Sequence, residues 1–189
     1  SLAVPSSGTG AQVAKLKNLG NDIDGSSDYT VEMYFKLNSL VDGAVIFRTD
    51  DRNNGLNVKI ESHGVGQANA LTTSEALSSG TMYGRVGTGQ PQLVKDKWYH
   101  VAVVRKNKII STYLDGNLRS VNSEKNDNII NGPYILGENL NGYIDELRIT
   151  EDVARYSDNF TPQKFAFRSE PVPAPEPQYR AADLSNSLL

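Results

Sequence analysis

The sequence predicts an all-β domain built as an antiparallel sandwich of two sheets. Three observations carry this reading. Apolar residues alternate with polar ones along most of the chain, the period of a strand with one buried face. Turn-forming residues cut the chain into roughly nine or ten short runs, the spacing of a sandwich. No amphipathic stretch of the length that crossover helices need lies between those runs, which excludes a parallel α/β fold.

The elements follow in order. Tyr29 to Leu37 places Tyr29, Val31, Met33, Phe35 and Leu37 on one face and Thr30, Glu32, Tyr34 and Lys36 on the other. Ala44 to Arg48 and Leu56 to Ser62 are strands joined through Asp50-Asp51-Arg52-Asn53-Asn54-Gly55, whose Asn-Gly pair tolerates positive φ. Residues 63–90 are the least regular, with weak strands expected around Asn69–Thr73 and Thr81–Val86. Trp98 to Arg105 is nearly continuous apolar sequence and reads as a strand buried on both faces. Asn107-Lys108 and Asp115-Gly116 turn it through Ile109–Leu114 into Leu118–Val121, a meander. Tyr134–Gly137 and Gly142–Ile149 complete the strands, and a short helical turn is expected at Asp152–Tyr156.

Composition bounds the chemistry. The 189 residues carry a net charge of −3, no Cys and two His, His63 and His100. Disulfides, thiolate metal sites, cysteine nucleophiles and multi-histidine zinc sites are excluded. The basic footprint of a nucleic-acid binder is missing. No apolar run approaches the ~20 residues of a membrane helix. Neither nucleic acid nor membrane is therefore an expected partner. The opening Ser1-Leu2-Ala3-Val4-Pro5 has no basic segment and no long apolar stretch. A signal peptide is expected to be absent or already removed, and the chain near full length and made in a cytoplasm.

Three zones are expected: an N-terminal arm over 1–12, the sandwich over 13–167, and a tail over 168–189. Four of the eight prolines, Pro171, Pro173, Pro175 and Pro177, stand in that tail and favour a stiff extended spacer. Beyond them, Tyr179, Leu184, Leu188 and Leu189 read either as a disordered end or as a docking peptide for a partner.

Several motifs resemble one family. Lys97-Trp98-Tyr99-His100-Val101-Ala102-Val103-Val104-Arg105 is similar to the W-x-H-V-A-V-x-R strand of laminin-G-like (concanavalin A-like) jelly rolls. Thr112-Tyr113-Leu114-Asp115-Gly116 resembles their Y-x-D-G hairpin. Asn141-Gly142-Tyr143-Ile144-Asp145-Glu146-Leu147-Arg148-Ile149 resembles the closing G-x-I-D-E-L/V-R-I strand. Ala154-Arg155-Tyr156-Ser157-Asp158-Asn159-Phe160-Thr161-Pro162 resembles the A-R-Y-x-x-N-F-T-P ending, in the form found in bacteriophage virion and tail proteins and some bacterial surface proteins. Tyr29 to Lys36 fits the early F-T-I-E-x-W-x-K strand. The usual first strand, S-x-x-F-x-G, is not matched by Leu16–Gly25, so that strand is expected to be displaced or lent by the N-terminal arm.

The resemblance implies a non-enzymatic structural or binding module. Its first implied setting is a phage virion, as a capsid decoration, tail or fibre-associated protein docking on other virion proteins or on copies of itself, as in a homotrimer, with host-surface glycans as a further ligand. The alternative is a secreted or surface bacterial lectin. The structural motif residues are Trp98, His100, Asp115, Gly116, Asp145, Glu146, Arg148 and Arg155. Trp98 reads as core, sharing a face with His100, Ala102 and Val104. His100 reads as a satisfied structural histidine, and Asp115-Gly116 as a type I′ turn. Asp145 is expected to share a face with Leu147 and Ile149 and to hydrogen-bond backbone or Arg155, while Glu146 pairs with Arg148 at an edge. Retaining glucanases on this sandwich carry carboxylates on one strand face, where this chain has Tyr143 and Leu147, so glycoside hydrolysis is disfavoured. No cofactor is expected. Asp50, Asp51 and Asn53 are the oxygen ligands that would hold a rim calcium.

Overall fold

The computed structural model describes residues 2–4, 14–16, 27–49, 55–62, 70–74, 82–86, 92–123 and 133–164. Among these there are twelve strands and no helix. They are β1 (Leu2–Val4), β2 (Ala14–Leu16), β3 (Tyr29–Leu37), β4 (Val45–Thr49), β5 (Asn57–Glu61), β6 (Ala70–Ser74), β7 (Met82–Val86), β8 (Trp98–Lys106), β9 (Ile109–Leu114), β10 (Asn117–Ser123), β11 (Tyr134–Leu136) and β12 (Gly142–Glu151). The first sheet has the order β1-β12-β3-β8-β9-β10 and the second β2-β11-β4-β5-β6-β7. Every recorded pairing is antiparallel. The core lies between the sheets: Val31, Met33, Phe35, Val101 and Val103 from one meet Ile46, Phe47, Val58, Ile60 and Leu71 from the other. Each such side chain contributes about 1.5–3 kcal/mol by leaving water.

The strands expected at Asn69–Thr73 and Thr81–Val86 are β6 and β7. Both meander turns take φ > 0 at two successive residues, Asn107 and Lys108 (50° and 64°), then Asp115 and Gly116 (51° and 74°). That is the I′ pattern, whose twist suits two paired strands. The segment read as an N-terminal arm supplies β1, which pairs with β12 at Ala3↔Tyr143. A further short strand, β2, pairs with β11 at Ile135↔Lys15 in the other sheet.

Two expectations fail. Asp152–Tyr156 forms no helical turn. It starts an extended strap, Asp152 to Lys164, that crosses the outer face of the first sheet. It is tied to the sheet by hydrogen bonds: Thr30 Oγ1 donates to the Val153 carbonyl at 2.8 Å, and Arg155 N–H donates to Thr30 Oγ1 at 3.0 Å. Farther on, Leu118 N–H donates to Asn159 Oδ1 at 2.8 Å, and Phe160 N–H to the Gly116 carbonyl at 2.9 Å.

The second failure is the phase of β12. Its pairing with β3 slips between Asp145 and Arg148, and Glu146 has φ 50°. This bulge inserts one residue and reverses the alternation. Leu147 and Ile149 therefore pack on the core, while Asp145 lies opposite Tyr34 on the outer face. Asp145 does not share their face.

Candidate functional site

The strap seals a buried polar hub on the outer face of the first sheet. At its centre is Glu32, 0% exposed. His100 Nε2 lies 3.2 Å from Glu32 Oε2, Tyr156 Oη donates to the same oxygen at 2.8 Å, and Arg148 Nε donates to Oε1 at 2.8 Å. Register explains the meeting: Glu32 lies opposite Ala102 on β8 and Arg148 on β12, and His100 is two residues from Ala102 on the same face. Burial pushes the Glu32 carboxyl up. The hydrogen bonds from His100, Tyr156 and Arg148, with the Arg148 charge, outweigh it and hold the group below its ordinary value. Burial and the bond to Glu32 push the Tyr156 phenol up to about 12.

Around the hub the strap adds a second apolar cluster. Ala154, Tyr156 and Phe160 pack on Ala102, Val104 and Tyr113. The Tyr156 and Phe160 rings stack at 3.5 Å, and Phe160 meets His100 edge-on at 5.7 Å. A Cβ on Gly116 would stand 1.9 Å from the Phe160 carbonyl oxygen, so glycine is required where the strap crosses the turn. The A-R-Y…N-F-T-P segment thus closes the sheet by packing. Glu32 has both oxygens occupied and a lowered pKa, the opposite of a glycosidase acid, whose pKa must rise.

The other predicted residues find plain places. His100 is buried, and its backbone N–H donates to Asp115 Oδ1 at 2.9 Å. Asp145 Oδ1 accepts the Glu146 N–H at 3.0 Å, not Arg155. Arg155 Nε donates to Thr150 Oγ1 at 2.8 Å. Arg148 Nη2 lies 2.6 Å from Glu32 Oε1, an ion pair that the sequence reading did not foresee. Asp50, Asp51 and Asn53, and Tyr179, Leu184, Leu188 and Leu189, lie outside the described residues. Among the described residues no three His, Cys, Asp or Glu side chains cluster to hold a metal, and no helix is long and apolar enough to cross a membrane.

Trp98 corrects the sequence reading most sharply. It is not core but 40% exposed, standing with the exposed large side chains rather than among the buried ones. On β8 the alternate residues Tyr99, Val101 and Val103 enter the core, so Trp98 faces outward with His100. The strap covers His100 but leaves the strand start open.

There Trp98 begins a row across three strands. Lys36 lies directly opposite both Trp98 and Tyr143. The two rings are 6.3 Å apart, and Lys36 Nζ stands 5.7 Å from the indole and 4.6 Å from the phenol centroid. Gly142 allows the approach, since a Cβ there would meet the Lys36 carbonyl oxygen at 2.0 Å. Two residues along, Asn38 Nδ2 donates a hydrogen bond to Asn141 Oδ1 at 3.3 Å. Sequence reasoning passed over Lys36, Tyr143, Asn38 and Asn141. The signal was there: they share the face and end of the sheet with Trp98 once its orientation is known.

A sandwich of two antiparallel six-stranded sheets with these motifs defines the jelly-roll class to which laminin G domains belong. The chain belongs to the concanavalin A-like lectin/glucanases superfamily, laminin G group, matched over residues 7–156. No curated protein matches it significantly. Among solved structures, a protein from Bacteroides ovatus, provisionally described as carbohydrate binding, superposes with a TM-score of 0.55 at 20% identity, covering 76% of this chain and 41% of that one. Domain 4 of an extracellular GH43 arabinanase from Geobacillus stearothermophilus, in complex with arabinotriose, gives 0.51 at 20% identity, over 75% of this chain and 66% of that one. The carbohydrate binding module CBM66 from Bacillus subtilis gives 0.52 at 12% identity, over 79% and 96%. At such identities the likeness establishes the fold.

Proposed function

We propose that the chain is a non-enzymatic carbohydrate-binding module. The observation that carries the reading is the solvent-facing Trp98, set beside Tyr143 with two asparagine amides at the same end of the sheet. Aromatic faces offer flat apolar area with a negative π cloud to the C–H face of a sugar ring. Amides supply paired donors and acceptors for its hydroxyls. The module names carried by several structural neighbours support the same class.

The setting is either a phage virion or a secreted bacterial protein. The virion setting rests on the likeness of the closing motif. That motif has a packing task any sandwich with this strap needs, so the secreted or surface lectin is equally supported. Particle assembly with a chain lacking 168–189 separates the two: loss of incorporation supports the virion.

The binding reading is tested by a thermal-shift screen against a glycan panel. At least one glycan class raises the melting temperature, and no reducing ends are released on incubation. A panel with no stabilising glycan overturns binding, and release of reducing ends overturns the non-enzymatic part.

A further inference from the structure

We infer that the Trp98 row selects carboxylate-bearing pyranosides, with Lys36 as the group that recognises the acid; this rests on the carbohydrate-binding reading above. Three observations on the outer face support it.

Lys36 is placed differently from the paired cations of the molecule. Arg48 lies 2.6 Å from Glu138, Lys97 3.4 Å from Asp115, and Arg148 2.6 Å from Glu32. Lys36 has two aromatic rings and no carboxylate within salt-bridge distance among the described residues. Its contacts therefore hold the ammonium without neutralising it. An anion arriving there gains a partner and displaces none.

The position is also preorganised. Lys36 stands in the middle of a three-strand row, its neighbours fixed by register at Trp98 and Tyr143. A lysine held over two rings loses less side-chain freedom on binding than one free on a loop. Lys97, next to Trp98, is already paired, 3.4 Å from Asp115. Asp145, one pair farther along β12, has Oδ1 engaged by the Glu146 N–H.

The sizes match one sugar ring. The two aromatic centroids are 6.3 Å apart, with the ammonium over both rings and the Asn38–Asn141 amide pair two residues along. A pyranose lying on the indole can direct a ring carboxylate to Lys36 and hydroxyls to the asparagines. A neutral sugar uses the ring and the amides but leaves Lys36 unpaired.

The test compares acids with their methyl esters, which lack the charge and add one methyl per carboxyl group. Trigalacturonic acid and sialyllactose, each with its methyl ester, are titrated calorimetrically into the full chain. At least one acid binds about fivefold or more tightly than its ester, as an exposed ion pair worth about 1 kcal/mol gives. The gap closes in Lys36→Met, and added salt weakens the acid more than the ester. Trp98→Ala loses both; melting temperature and circular dichroism check its fold, with Tyr143→Ala as the second variant. Equal binding of acids and esters overturns the inference and leaves the binding module standing. So does a panel in which neutral glycans bind and neither acid does. Absence of binding by any glycan overturns both readings.

Discussion

Glu32 shows how a single residue ties strap to sheet. A carboxylate with no exposure needs its partners, because a buried charge left alone costs several kcal/mol. Glu32→Gln is expected to cost about 3 kcal/mol by leaving Arg148 underpaired, and Tyr156→Phe about 1–3 kcal/mol, both read from urea unfolding. The pH dependence has a definite sign. The folded Glu32 pKa is lowered from 4.5, so its contribution is complete above the unfolded value and is lost as pH falls through the folded one. Tyr156 runs the other way: raised from 10.0 to about 12, it contributes below 10 and fades as pH climbs through 12. Stability measured from pH 7 down to 2 falls in the wild type, and Glu32→Gln flattens that acid limb. This hub was half legible in the sequence. Glu32, His100, Arg148 and Tyr156 all sit in motifs, but their meeting depends on the bulge at Glu146, which moves Arg148 onto the same face. Strict alternation hid it.

At the level of elements, the strap is the part that sequence periodicity misread. Its residues alternate in neither a helical nor a strand period, because their partners are the turn at Gly116 and the face of β3 rather than a paired strand. Gly116→Ala places a methyl against the Phe160 carbonyl at a residue with φ 74°. It is expected to cost about 1–3 kcal/mol and to make the strap cleavable by protease under conditions where the wild type resists. Equal protease resistance in the two proteins contradicts the strap's dependence on that turn. The same covering explains Trp98. A residue in an apolar strand, one position before a core tyrosine, reads as core until one knows that the strap stops short of it. The strands from β3 onward were legible, including both turns of the meander, because each rests on local φ preference and period-two patterning, whereas the three-residue β1 and β2 are too short to show a period.

For the molecule as a whole, fold and family followed from the order of motifs, while the binding face did not. Motifs preserved by packing report packing: the closing segment fixes a strap, not a ligand. The open row of Trp98, Lys36 and Tyr143 comes from three strands far apart in sequence, and only the sheet order β12-β3-β8 joins them. Gly142→Ala tests that assembly, since a Cβ there would press on the Lys36 backbone; glycan affinity falls with little change at the Glu32 hub. Trp98 also supplies the most direct probe, because it is the chain's one tryptophan. A glycan that stabilises the protein is titrated while indole emission and calorimetric heat are followed together. The binding account predicts a saturable emission change with the same midpoint as the heat. Full calorimetric binding with unchanged emission would place the ligand elsewhere and contradict it.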